Sequence, residues 1–210
     1  FIGGTIAYWN KGTINNWLGG VINRFADGTL DIIKDGTIIA KLTGGRVGSM
    51  IGGEVWELYG TGAITNQSGG LIQDLALGGE VTTMTGGNIT NITGGTLITL
   101  NGGNVGTVSG GEITNMDSGT VAELKNNGKI VDVNDGTIAK VSGGQITSLN
   151  DGEITSMTGG LLATMSGGKV TAMSGGTIGS MTNGLIGQFD TGATLTTWNG
   201  GTIDKFNGGT

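Results

Sequence analysis

In 210 residues the chain has no cysteine, no histidine and no proline. Without cysteine there are no disulfides, no thiolate chemistry and no sulfur-based metal sites. Without histidine the commonest general base and the commonest transition-metal ligand are missing. The lack of proline, with no glycine at every third position, excludes collagen despite 47 glycines. Charge is sparse: 12% of residues are charged, the net charge is −6 and the ten Lys and Arg are scattered. No basic stripe exists to hold a phosphate backbone, so nucleic acid is not an expected partner. No apolar run reaches the roughly 20 residues of a spanning helix, and no membrane partner is expected. No secretory leader is visible, and a chain opening on Phe1 reads as processed or as a segment of a longer one.

What is present is a repeat. Glycines recur at Gly4, Gly12, Gly20, Gly28 and Gly36, and so on to Gly201 and Gly209. These 26 glycines leave 25 intervals, 20 of eight residues and five of nine. With each glycine counted as position zero, position +2 is Ile, Val or Leu in every unit except at Thr194. Position +5 is almost always large and apolar, as at Trp17, Met84 and Met157, with Gln67 a clear exception. The apolar residues therefore hold fixed places, which argues against disorder.

Gly, Asp and Asn pairs before each unit tolerate positive φ and mark a tight bend. Six residues between bends is too short for a helix and suits a strand, as do Ile, Val and Thr. The expectation is an all-β chain of about 25 short strands, a single octapeptide-repeat domain over 1–210. A meander of hairpins would put +2 and +5 on opposite faces and bury little. A β-solenoid (β-helix) stacks like on like, coil after coil, and is favoured. Two units per coil or three are both open. All ten aromatics lie outside residues 60–188. Trp9, Trp17 and Phe25 fill +5 in three consecutive units at one end, and Phe189, Trp198 and Phe206 occupy the equivalent place in three consecutive units at the other, Trp198 one residue later in a nine-residue unit. Two such triplets favour three units per coil, with each end capped or assembled through one bulky layer. The nine-residue units beginning at Gly36, Gly53 and Gly70 recur two units apart and point instead to two.

The octads "MTGGNITN" (84–91), "VSGGEITN" (108–115) and "MSGGTIGS" (173–180) resemble the octapeptides of bacteriophage tail-fibre and tail-needle β-helices, whose form is apolar-x-Gly and five variable residues. The likeness covers the whole chain, though +2 and +5 here are three apart, where needle repeats place their main apolar residues two apart. That resemblance implies a structural fibre or shaft on a virion tail, commonly a homotrimer, with a triple-stranded intertwined version possible and a host surface receptor or glycan as partner. The alternative is an extracellular or cell-surface filament or adhesin that assembles with itself end to end.

Candidate chemistry is thin, and no enzyme, cofactor or metal is expected. Methionines at 157, 165, 173 and 181 could offer thioethers to a soft metal. The same +5 positions hold Leu, Val and Phe elsewhere, so they read as interior filler. No GxxxxGK[ST] loop or calcium-roll GGxGxD pattern occurs. Glu54 and Glu57 flank Trp56, with Tyr59 nearby. Paired carboxylates beside aromatics can cleave glycosides, but here Trp56 and Tyr59 read better as a surface contact. Thr fills +1 in nine units, yet Arg46, Glu54, Glu80, Lys129 and Lys169 break any flat threonine lattice.

Overall fold

The computed structural model describes residues 2–210. Among these there is no helix, and 21 strands, β1 to β21 in chain order, all pair in parallel. They form a β-solenoid of about 13 turns. Contacts divide the chain into two compact units, Phe1–Gly106 and Thr107–Thr210, each built from the same repeat.

The register fixes the coil. In the first unit Thr5 pairs with Val21, Thr13 with Thr29 and Glu54 with Leu71. In the second, Glu112 pairs with Lys129 and Glu153 with Lys169. Each step is 16 or 17 residues, so two octads close a coil. The expectation of three units per coil is therefore corrected. The aromatic triplets misled because consecutive +5 residues fall on opposite sides of a flattened coil. Trp9 and Phe25 are bridged to each other, whereas Trp17 pairs with Ile33 on the other side. The intertwined three-chain arrangement is corrected by the same register. Within each unit an interior strand finds its neighbours above and below in its own chain, leaving no edge there for a second chain to enter.

Both sides contribute +2 and +5 residues to one core. From Ile22 to Phe189 these positions are at most 1% exposed in every unit except the one after Gly36. The run of methionines accordingly splits into two ladders. Met157 stacks on Met173, and Met165 on Met181. At the nine-residue unit after Gly36 the extra residue precedes the core positions. There Ile39 and Leu42 point inward, and Ile38, the expected core residue, is half-exposed. Thr37 is buried in the corner, and its hydroxyl donates to the Lys34 carbonyl at 2.6 Å. In the units after Gly53 and Gly70 the extra residue widens the next corner, around Tyr59–Gly60 and Leu77–Gly78.

Glycine is required at the corners for two reasons. Gly70 has φ +73°, and a Cβ there would sit 2.6 Å from the carbonyl oxygen of Gly53 in the coil below. Gly36 has a similar φ of +78° but nothing within 4 Å of an added Cβ. Alanine at Gly36 meets only the left-handed penalty of about 1–2 kcal/mol. Alanine at Gly70 must also push two coils apart. Thermal unfolding should show a loss at Gly70→Ala of roughly twice that at Gly36→Ala or more. Equal losses would contradict the close stacking.

Gln67 is the one polar residue in the +5 ladders, between Met50 and Met84. Its Nε2 donates to the Asn88 carbonyl at 3.2 Å, but its buried Oε1 has no partner among the described residues. An unmatched buried carbonyl costs about 1–3 kcal/mol. Gln67→Met should raise the denaturant midpoint by about 1 kcal/mol of stability, and a fall in the midpoint would show the amide to be better satisfied than its neighbours indicate.

Candidate functional site

With +2 and +5 turned inward, chemistry is left to +1, +3, +4 and the corners. The two sides of the coil differ there. On the side carrying Phe25 and Leu58, the +4 column of the first unit runs Arg24, Lys41, Glu57, Asp74. On the other side it runs Asn16, Ile32, Ser49, Asn66, Thr83, Thr99, with no charge. The second unit repeats the contrast. At +4, Glu123 and Lys140 lie on one side, whereas on the other the column Asn115, Asp132, Ser148, Thr164, Ser180, Thr197 holds one charge, at Asp132.

Opposite charges meet between adjacent coils. Lys41 lies 3.2 Å from Glu57, Lys129 3.0 Å from Glu112, Lys140 3.0 Å from Glu123 and Lys169 3.3 Å from Glu153. These pairs are exposed and individually weak. At one corner of the second unit, side-chain amides form a ladder. Asn134 donates to Asp117 at 2.8 Å, Asn150 to Asn134 at 2.8 Å, and the Ser166 hydroxyl to Asn150 at 2.9 Å.

The residues singled out in the sequence fall into three groups. Trp17, Phe25 and Phe189 are core residues, not a contact surface. Trp9 is half-buried, with an indole N–H that has no partner among the described residues. Trp198 and Phe206 occupy the same ladders but are 57% and 63% exposed, with one face of Phe206 stacked on Phe189 at 5.6 Å.

Trp56 and Tyr59 form the third group. Trp56 is 43% exposed on β7 (Glu54–Leu58), and its indole N–H donates to Glu54 at 3.0 Å. Glu57 is held by Lys41 instead, so the two carboxylates are separately engaged. Tyr59 follows the strand at the widened corner, where Leu77 is 80% exposed. Beside Glu54 runs a shallow groove of about 410 Å³, bordered by Asp35, Ile38, Leu71 and Asn88. Its floor is the glycine column Gly36, Gly53, Gly70, Gly87. In the second unit a glycine column of its own, Gly136, Gly152 and Gly168, borders a groove of about 540 Å³ with Glu153, Lys169 and Asp151 on its rim. The troughs are thus what side-chain-free corners leave behind, and only the rim residues differ. Among the described residues no group of three or more acidic side chains could hold a metal.

Three carboxylates are held below their ordinary values. Glu123 is lowered by Lys140 and Ser142, Glu153 by the Thr171 hydroxyl and then Lys169, and Asp190 by Asn207 and Gln188. A carboxylate lowered by folding stabilises above its unfolded value, and that contribution is lost as pH falls through the folded one. Glu153→Gln should therefore melt below the parent near neutral pH. The gap should close once pH falls well below 4.5, the ordinary glutamate value. A gap constant from neutral to acid would show that the carboxylate charge is not what stabilises. Comparison of the chain with protein-family models, with curated proteins and with solved structures finds no match.

Proposed function

We propose that the chain is a structural shaft segment, of the phage tail-fibre kind, that serves as a rigid, protease-resistant support. The unbroken core carries this reading. Across every coil from Ile22 to Phe189 the inward positions are dry, and Gln67 is the one polar residue among them. A protein that repeats one core without interruption spends its sequence on persistence of structure, and variation is confined to outward positions. Backbone ladders closed from coil to coil leave a protease few segments to draw into an extended conformation.

A homotrimer is the favoured assembly, with copies side by side and the virion tail or cell exterior as the setting. The +4 column of Asn, Ser and Thr supports it, since along that column small residues permit close approach without burying charge, and charges of the same side stand in the neighbouring +1 column, at Arg46, Glu80 and the Glu112–Lys129 pair. The exposed indole of Trp56 beside the groove is the place proposed for a host receptor or glycan, because an aromatic face with flanking carboxylates suits a sugar ring and its hydroxyls. A second reading, an extracellular or cell-surface filament, draws on the exposed Trp198 and Phe206.

Trypsin tests the shaft reading directly. The ten Lys and Arg give it many sites, and Lys41 is about half-exposed. The native protein should survive at least about tenfold longer than the same chain in denaturant. Cleavage at equal rates would remove the shaft reading, and a clean monomer in sedimentation equilibrium would remove the trimer.

A further inference from the structure

The groove of the first unit follows one corner past Gly36, Gly53, Gly70 and Gly87, three coil steps or roughly 14 Å. Ile38 and Leu71 give it apolar walls, and Glu54 stands between them in the same +1 column. Asp35 borders it one coil before Glu54, with its carboxylate laid against Gly52. None of the residues bordering the groove is Lys or Arg. The geometry points to a linear oligosaccharide of amino sugars as the occupant, with protonated amines at the two carboxylates and one ring against Trp56. This rests on the reading of Trp56 as the place of a partner, and it names the chemical class of that partner.

Charge, shape and spacing select this occupant. The Glu54 Oε2 accepts the Trp56 indole N–H at 3.0 Å, while its other oxygen and the Asp35 carboxylate have no partner among the described residues. A cation complements such a pair, whereas uronates, sulfated sugars and phosphates are repelled. The bond to Glu54 fixes the exposed indole beside the groove, and Ala40 holds the same place one coil earlier with only a methyl. A flat ring held in advance takes a sugar face or an amine at little ordering cost. A pyranose ring spans about one coil step, ~4.8 Å, so successive rings meet successive coils. An extended peptide repeats on one face roughly every 6.6 Å and falls out of step. It would also need a free sheet edge for its backbone. Here the carbonyls of Gly53, Gly70 and Gly87 already accept from Leu71, Asn88 and Asn104. Asn88 supplies a donor at the far end. Its carbonyl accepts from Gln67 and its Oδ1 from Asn104 at 3.1 Å, which leaves Nδ2 for a sugar hydroxyl. The groove of the second unit lacks this chemistry. Thr171 and Lys169 both hold Glu153 there, and no aromatic borders it.

Isothermal titration of the 210-residue chain at mildly acidic pH, where sugar amines carry protons, tests this with chitosan tetramer, its fully N-acetylated counterpart, cellotetraose and tetralysine. The chitosan tetramer should bind at least about tenfold more tightly than the two uncharged sugars. Glu54→Gln keeps an acceptor for the indole and removes only the charge, and Trp56→Ala removes the ring. Each should weaken chitosan binding at least about tenfold. Glu153→Gln, at the other groove, should leave it unchanged. Residues 54 and 56 point outward, so trypsin resistance should not move. No binding, or equal affinity for all three sugars, would overturn the inference. So would binding that Glu54→Gln and Trp56→Ala leave intact, or that Glu153→Gln abolishes. Tetralysine bound as tightly through the same two residues would overturn it in favour of a basic peptide. A trypsin-resistant chain that binds none of these ligands overturns the inference alone. A chain that binds chitosan through Trp56 yet is readily digested overturns the shaft reading alone.

Discussion

The structure depends on how closely two coils can approach at their corners. Backbone ladder bonds hold successive coils at about 4.8 Å. At that spacing the carbonyl oxygen of one corner glycine lies where the Cβ of the next would be, 2.6 Å away for Gly53 beneath Gly70 and 2.7 Å for Gly152 beneath Gly168. Any side chain there would pry the coils apart and break the ladders on both sides of the corner. The left-handed φ at these positions adds a second demand for the same residue. The spacing also explains the grooves, because a column without side chains leaves a trough along the corner.

The core follows from this spacing. When every coil is a translation of the last, each inward residue must pack on its own equivalent above and below, so side chains of moderate and similar size are favoured. Ile, Val and Leu at +2 meet that condition, and Met at +5 adapts to small mismatches between the two sides. Large rings do not stack indefinitely in so narrow an interior. They occur where the ladder begins and ends, at Trp17, Phe25 and Phe189. Gln67 shows what the ladder tolerates: one amide whose Nε2 finds a corner carbonyl while its oxygen does not.

The strands, the corners and the inward positions were legible in the sequence because each follows from local spacing. The number of units per coil was not, because octads are equivalent locally whether two or three close a turn. The aromatic triplets were the wrong guide, since nothing requires consecutive +5 residues to share a layer. A better signal was present in the charges. Lys41 and Glu57, Glu112 and Lys129, Glu123 and Lys140, and Glu153 and Lys169 are opposite charges 16 or 17 residues apart, and each pair is an ion pair between adjacent coils. A coil of three octads would have separated them. The placement of Ile38 and Ile39 was hidden for another reason: an extra residue can enter before or after the core positions, and only the hydrogen bond of Thr37 to Lys34 decides which.

The same economy limits what the candidate site reveals. Trp56 was visible as an aromatic between two glutamates, but its context is set by coil neighbours far away in sequence. Lys41 takes Glu57, Glu54 turns to the indole N–H, and the glycine column opens the groove beside them. In a solenoid the inward positions are so constrained that many chains would share them by physics alone. Whatever distinguishes this one must lie in the outward columns. The +4 columns are unequal, with Lys41 and Glu57 on the side of the exposed Trp56 and Ser49 and Asn66 on the other, where charge stands instead at +1, as at Arg46 and the Glu112–Lys129 pair.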